Sequence, residues 1–232
     1  MVGAVNEPDL HEPIPRERLR RYCEYPYTAN LLVDAARAGF EIPRLRPPEW
    51  ALDYVRRYLQ GERPVVITLR ESRSQQARNS RLNEWIKFAE TIQKDFPVLI
   101  VRDTHTANWP LGKWRTRAST DSSIRAALYH LSFCNLAVSN GPNTFCQYGR
   151  APYLLFKQLI DDVALRYQAS EWSWWRMQRL RKGEQWPWSS PLQRLTWKDD
   201  SHENIAEEFA TFCAMPQAAT PRVSPGVGPT YI

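Results

Sequence analysis

The stretch Val65-Val66-Ile67-Thr68-Leu69-Arg70-Glu71 decides the architecture of this chain. A continuous β-branched and aliphatic run that stops abruptly in charge reads as a strand buried on both faces, since a half-exposed strand would alternate apolar and polar residues. After a polar loop, Leu82, Trp85, Ile86, Ala89 and Ile92 recur at helical spacing, which predicts a helix over about 81–94 capped by Ser80. Val98-Leu99-Ile100-Val101 repeats the first pattern and again ends in charge, at Arg102-Asp103. A helix over about 122–133 then leads to a third strand, Leu136-Ala137-Val138, which breaks into Ser139-Asn140-Gly141-Pro142. Pro142 suits the first position of a following helix. Tyr153-Leu154-Leu155-Phe156 supplies a fourth strand. This alternation predicts right-handed crossovers and an α/β fold, a Rossmann-like parallel sheet with helices on both faces.

Outside this core the sequence is less periodic. Residues 1–61 read as a loose leader followed by a helical region, with one helix over 28–38 stopped by Gly39 and another over Glu49–Leu59, between Pro47-Pro48 and Gly61. The α/β domain spans 62–214. Within it Trp172, Trp174, Trp175, Trp186 and Trp188 crowd one segment, Leu195-Thr196-Trp197 reads as a short strand, and Asp200 or Ser201 caps a helix over 203–212. Clustered Trp faces suit sugars or bases, and equally suit the packing of a small core. Residues 215–232, rich in Pro, read as a disordered tail.

Hydrophobic residues make up 43% of the 232 and charged residues 24%, values typical of a globular protein. The net charge of +6 comes from an Arg excess, which suits a partner bearing phosphate or carboxylate, because guanidinium grips such anions bidentately. A basic surface with no anionic partner explains the same charge. The four cysteines, Cys23, Cys134, Cys146 and Cys213, form no C-x-x-C pair. With no signal peptide and no apolar run near the ~20 residues that span a bilayer, the expectation is a reduced, cytoplasmic protein without a transmembrane segment.

In an open parallel sheet, ligands bind beyond the carboxyl ends of the strands, so the strand-end loops hold the candidates. The first loop offers Arg70, Arg73, Arg78 and Asn79, the second Asp103, Thr104 and His105, the third Ser139, Asn140, Gly141, Asn143 and Thr144. In the third, a glycine that admits a ligand close to the backbone precedes a helix N-terminus, a combination that can hold phosphate. A tight turn with Asn140 as helix cap explains the same residues without a ligand. Neither G-x-x-x-x-G-K-[ST] nor G-x-G-x-x-G occurs, so the usual phosphate cradles of P-loop proteins and dinucleotide dehydrogenases are missing. His11, His105, His130 and His202 are not spaced as metal ligands, and Asp161-Asp162 and Asp199-Asp200 read as surface or capping carboxylates.

The strands and their ends, Val65 to Arg70 with Ala77-Arg78-Asn79-Ser80, Val98 to Thr104, Leu136 to Pro142 and Pro152 to Phe156, resemble the C-terminal, nucleotide-sugar-binding half of GT-B-fold glycosyltransferases. The stretch from Gln185 to Trp197 is more loosely similar to the closing elements of bacterial glycosyltransferase-like proteins. The resemblance implies a nucleotide-diphosphate sugar as ligand, with Arg70, Arg73 and Arg78 on the diphosphate and Asn79, Ser139, Asn140, Gly141 and Thr144 around the donor. It implies transfer to a hydroxyl of an unidentified acceptor with Asp103 or His105 as base, and neither metal nor organic cofactor. About 60 residues precede the first strand, too few for the second α/β half of that family, and the resemblance then leaves three expectations: a truncated chain, a partner protein or second copy completing the cleft, or binding without catalysis. The reading from another class is a non-catalytic module that binds a nucleotide, glycan or nucleic acid.

Overall fold

The computed structural model describes residues 28–109, 117–160 and 170–218. The stretch 1–27, which holds the leader and Cys23, lies outside them, as do Trp114, Asp161-Asp162 and most of the Pro-rich tail. Helices α1 (Thr28–Arg37) and α2 (Glu49–Leu59) precede the sheet. Then come β1 (Val65–Thr68), α3 (Leu82–Ile92), β2 (Val98–Val101), α4 (Ser122–Leu131), β3 (Cys134–Val138), the single turn α5 (Thr144–Gln147) and β4 (Tyr153–Phe156). Helix α6 (Glu171–Gln178), β5 (Gln193–Leu195) and α7 (His202–Cys213) close the described chain.

All five strands are parallel, in the order β2-β1-β3-β4-β5. The sheet is therefore the expected Rossmann-like α/β architecture. Strands β1 to β4 are buried at every position, which is why they read as unbroken apolar runs. Their side chains alternate between two cores. Val66, Leu99, Ala137, Tyr153 and Leu155 pack with α1, α2 and α4, and α1 and α2 thus belong to the same core as the sheet. Val65, Ile67, Leu136, Leu154 and Phe156 face the opposite side, with Trp85 and Phe88 of α3 and Ile205, Phe209 and Phe212 of α7. Edge-to-face ring pairs such as Trp85–Phe156, with centroids 5.6 Å apart, fill this second core.

One cap and one carboxylate differ from the sequence expectation. Ser80 does not cap α3; its hydroxyl accepts from Arg70 N, while the leading Arg81 N–H donates to Asp200 Oδ2 at 2.7 Å. Asp200 is not a surface carboxylate. It is fully buried, also accepts from Trp85 Nε1 at 3.0 Å, and lies 3.3 Å from Lys157 Nζ. Ser201, as expected, accepts from Asn204 N and caps α7, and Asp121 caps α4 by accepting from Ser123 N and Ile124 N.

The tryptophans divide between packing and surface. Trp186 and Trp174 are buried, Trp186 stacks on Trp188 at 5.2 Å, and Trp188 stacks on Tyr148 at 5.5 Å. Trp50, Trp109 and Trp172 are exposed. None of the helices among the described residues is long and apolar enough to cross a membrane.

Candidate functional site

The strand order reverses direction between β1 and β3: the chain moves from β1 to β2 on one side, then crosses back to β3 on the other. At such a switch point the two following loops diverge to opposite faces and leave a crevice at the carboxyl ends. A crevice of about 490 Å³ lies there, lined by Thr68, Arg70, Asp103, Arg125, Asn140 and Gly141 among others. A second of about 570 Å³ continues from it, sharing Arg125, Gly141 and Pro142 and adding Asp121 and Phe145.

Three guanidinium groups dominate this end of the sheet. Arg70 is nearly buried; its Nη1 donates to Gln75 O at 3.2 Å and to Asn79 Oδ1, and its Nη2 donates to Ser74 O at 3.3 Å. Arg78 reaches across to the end of β3 and donates to Ser139 O at 3.4 Å, with its Nε buried and unpartnered. Arg125, on the sheet-facing side of α4, is 7% exposed and donates to Ala118 O and to Ser119 O at 2.8 Å. None of the three forms an ion pair with a described carboxylate. Burial pushes the Arg70 guanidinium below its usual value, partly offset by Asp103. Burial also lowers Arg78, and the neighbouring charge of Arg70 adds to the effect. Cations that are desolvated and repel one another are the electrostatic condition for an anion site.

The other expected residues fall into distinct groups. Asn140 and Gly141 line the crevice with Arg70 and Asp103. Asn140 also caps the turn after β3, its Oδ1 accepting from Asn143 N. That turn is one 3-10 turn (Gly141–Asn143) and the four-residue α5, so its dipole is small. Gly141 has an ordinary φ, and a Cβ placed there would meet only open space; the fold does not demand glycine. Asn79 staples its own loop, accepting from Arg70 Nη1 and from Ser72 N at 3.0 Å and donating to Ser72 O at 2.8 Å. Ser139 contributes its carbonyl to Arg78. Thr144 is exposed and donates to Gly141 O, and Arg73 is exposed. His105 sits exposed on the 3-10 turn Thr104–Thr106 and lines neither crevice, whereas Asp103 lines the first and accepts from Glu71 N at 3.0 Å.

Arg125 is the residue that strand-end reasoning passes over, because it lies on a helix. Its signal is nonetheless present: it shares i, i+3 and i+4 spacing with Leu128 and Tyr129, so an apolar stripe carries a charge.

The loops that frame the crevice are held by a second charged group. Arg102 grips Glu71 bidentately, with Nε to Oε2 at 2.9 Å, and the Thr106 hydroxyl donates to the same Oε2 at 2.7 Å. Burial would raise the Glu71 carboxyl, but these donors hold it below the ordinary carboxylate range. A depressed folded-state value means that the contribution to stability is fully present above the unfolded value and fades as pH falls through the folded one. We therefore expect the stability gap between wild type and Glu71→Gln, measured by denaturant unfolding followed by circular dichroism, to shrink steadily as pH falls below the ordinary carboxylate value. A gap that stays constant through that window contradicts the role of the pair.

Among the described residues no three His, Cys, Asp or Glu side chains gather as a metal site. Compared with protein-family models, with curated proteins and with solved structures, the chain matches none, and the chemistry of the crevice rests on its own geometry.

Proposed function

We propose that this chain is a glycosyltransferase-like protein that holds the diphosphate of a nucleotide-diphosphate sugar in the β1/β3 crevice. The observation that carries the reading is that Arg70 and Arg125, buried cations without a carboxylate partner among the described residues, line a switch-point crevice of about 490 Å³, while half-buried Arg78 reaches the Ser139 carbonyl at the end of β3 beside it. Guanidinium groups of this kind stabilise the charge that develops on a departing diphosphate, the task that a divalent cation performs elsewhere. In the transfer, the acceptor hydroxyl oxygen bonds to the anomeric carbon as the bond from that carbon to the phosphate oxygen breaks. The nucleoside diphosphate leaves with the electron pair, and the hydroxyl proton passes to Asp103, the carboxylate at the β2 end that lines the first crevice.

A second reading, binding of a nucleotide, glycan or nucleic acid without transfer, draws support from the same carboxylate. One Asp103 oxygen already accepts from Glu71 N, and His105 stands outside both crevices, so the base has little freedom and no substitute nearby.

The test is a thermal-shift screen of the full chain against nucleoside diphosphates and their sugar conjugates, where ligand at a hundred times Kd stabilises by about 2.7 kcal/mol. A shift confined to one nucleotide family is expected. Gly141→Val should keep the unliganded midpoint, because open space surrounds the added atoms, yet abolish the shift by filling the approach to the crevice. No shift with any diphosphate removes the donor-site reading. A shift without hydrolysis or transfer of the sugar selects the non-catalytic one.

A further inference from the structure

A separate cavity of about 510 Å³ lies between the segment after α1, helix α4 and the loop after α5. Its walls are mainly apolar, with Pro47, Ala126 and Phe145, while Arg46, His130 and Arg150 supply its charge. No carboxylate lines it. Arg46 and Arg150 make no ion pair with a described carboxylate, unlike Arg56 nearby, which is held by Glu49 and Asp53. The loop that carries Arg150 is built rather than loose. Buried Gln193 on β5 donates to Cys146 O, Gly149 O and Ala151 O, at 3.0, 3.2 and 3.1 Å. Arg44 donates to Gly149 O at 3.1 Å and to Trp188 O. Gly149 is required there, since a Cβ would run into the Phe145 carbonyl oxygen.

From this arrangement we propose a second binding site, for a soluble phosphate monoester with an apolar body: the phosphate between Arg46, His130 and Arg150, the aryl or alkyl group against Pro47, Ala126 and Phe145. Two arginines and an ionisable imidazole balance a dianion better than a single carboxylate, and the apolar wall has no use for a bare inorganic ion. Arg46, His130 and Arg150 share the lining of this one cavity. Burial lowers the His130 imidazole, and the charges of Arg56, Arg46 and Arg150 lower it further, the response of a group set among cations. A bound dianion reverses that field and draws the proton on.

This site does not depend on the donor reading, although its lining shares Ser122 and Phe145 with the second crevice at the switch point. The probe is phenyl phosphate, titrated into the full chain while the His130 resonance is followed by NMR. Phenyl phosphate should bind about tenfold more tightly than inorganic phosphate, and the His130 titration midpoint should rise on saturation. Arg150→Gln, an exposed substitution that should leave the thermal midpoint unchanged, should weaken phenyl phosphate about tenfold; Arg125→Gln should leave the His130 response as it is. Equal affinity for the two phosphates, or an unmoved His130, overturns the proposal. So does co-sedimentation with phosphatidic acid vesicles in the absence of phenyl phosphate binding, which would make the basic rim a membrane contact.

Discussion

Asp200→Ala lowers the stability of this chain by about 3–5 kcal/mol, the usual range when one partner of a buried charged pair is removed. The carboxylate has no exposed surface, accepts from Arg81 N and Trp85 Nε1, and lies 3.3 Å from Lys157 Nζ. Truncation leaves two donors without an acceptor and a nearly buried ammonium beside a void. Asp200→Asn keeps an acceptor oxygen but turns an amide toward Lys157, and should cost roughly half as much, about 2 kcal/mol. Urea unfolding measures both, and the denaturant slope should not change, since the native surface is the same. A double variant with Lys157→Met should recover part of the loss of Asp200→Ala, because the ammonium that faced the lost carboxylate is then replaced by an apolar group. A loss under about 1 kcal/mol for Asp200→Ala would show that the network contributes nothing beyond a surface pair.

Arg125→Met separates stability from binding. Its guanidinium is buried and, among the described residues, is held by the Ala118 and Ser119 carbonyls and not by a carboxylate, so an apolar side chain of similar length removes a desolvated charge as well as two hydrogen bonds. The two effects oppose each other, and the unfolding free energy should move by no more than about 1 kcal/mol. Binding of a nucleoside diphosphate should weaken by about a hundredfold, as expected when one member of a buried, hydrogen-bonded charge pair is lost. Calorimetry on the folded variant reads the second quantity directly. Full affinity in Arg125→Met would place the phosphate away from the switch point.

The strands were legible because burial on both faces leaves a simple trace. Val65 to Thr68, Val98 to Val101 and Tyr153 to Phe156 are apolar runs with charge or turn residues at their ends, and each is a strand within a residue or so of its reading. Strand β3 begins two residues earlier than its apolar core, since Asn135 interrupts the pattern; its side-chain Nδ2 donates to Tyr129 O and Pro152 O in the interior. The Glu49–Leu59 helix is framed by prolines and a glycine and matches its reading at both ends.

What failed to show was long-range. The alternation of strands and helices establishes a parallel sheet but contains nothing about neighbours, so the β1/β3 adjacency that makes the crevice had to come from the fold. Ser80 carries the local signature of a cap, yet the leading Arg81 N–H donates to Asp200, 119 positions further on, which no local pattern connects to it. His105 shares a loop with Asp103, but the 3-10 turn directs the two residues to different surroundings. Arg125 was hidden by its element: strand-end loops were the place to look, and this lining residue of the crevice arrives on a helix.

The contact between Asp200 and the first turn of α3 also constrains the order of assembly. Synthesis at about 5–20 residues per second separates Arg81 from Asp200 by roughly 6–24 s, long compared with the time in which a helix or a loop forms. During that interval the nascent α3 lacks its native acceptor, and Trp85 and Lys157 lack the carboxylate that they later share. The loop behind Arg70 rests on the same group through Asn79, whose carbonyl accepts from Lys157. The crevice beside Arg70 is thus completed only when the closing segment docks, and the newborn chain carries its guanidinium groups before the loops that organise them are in place.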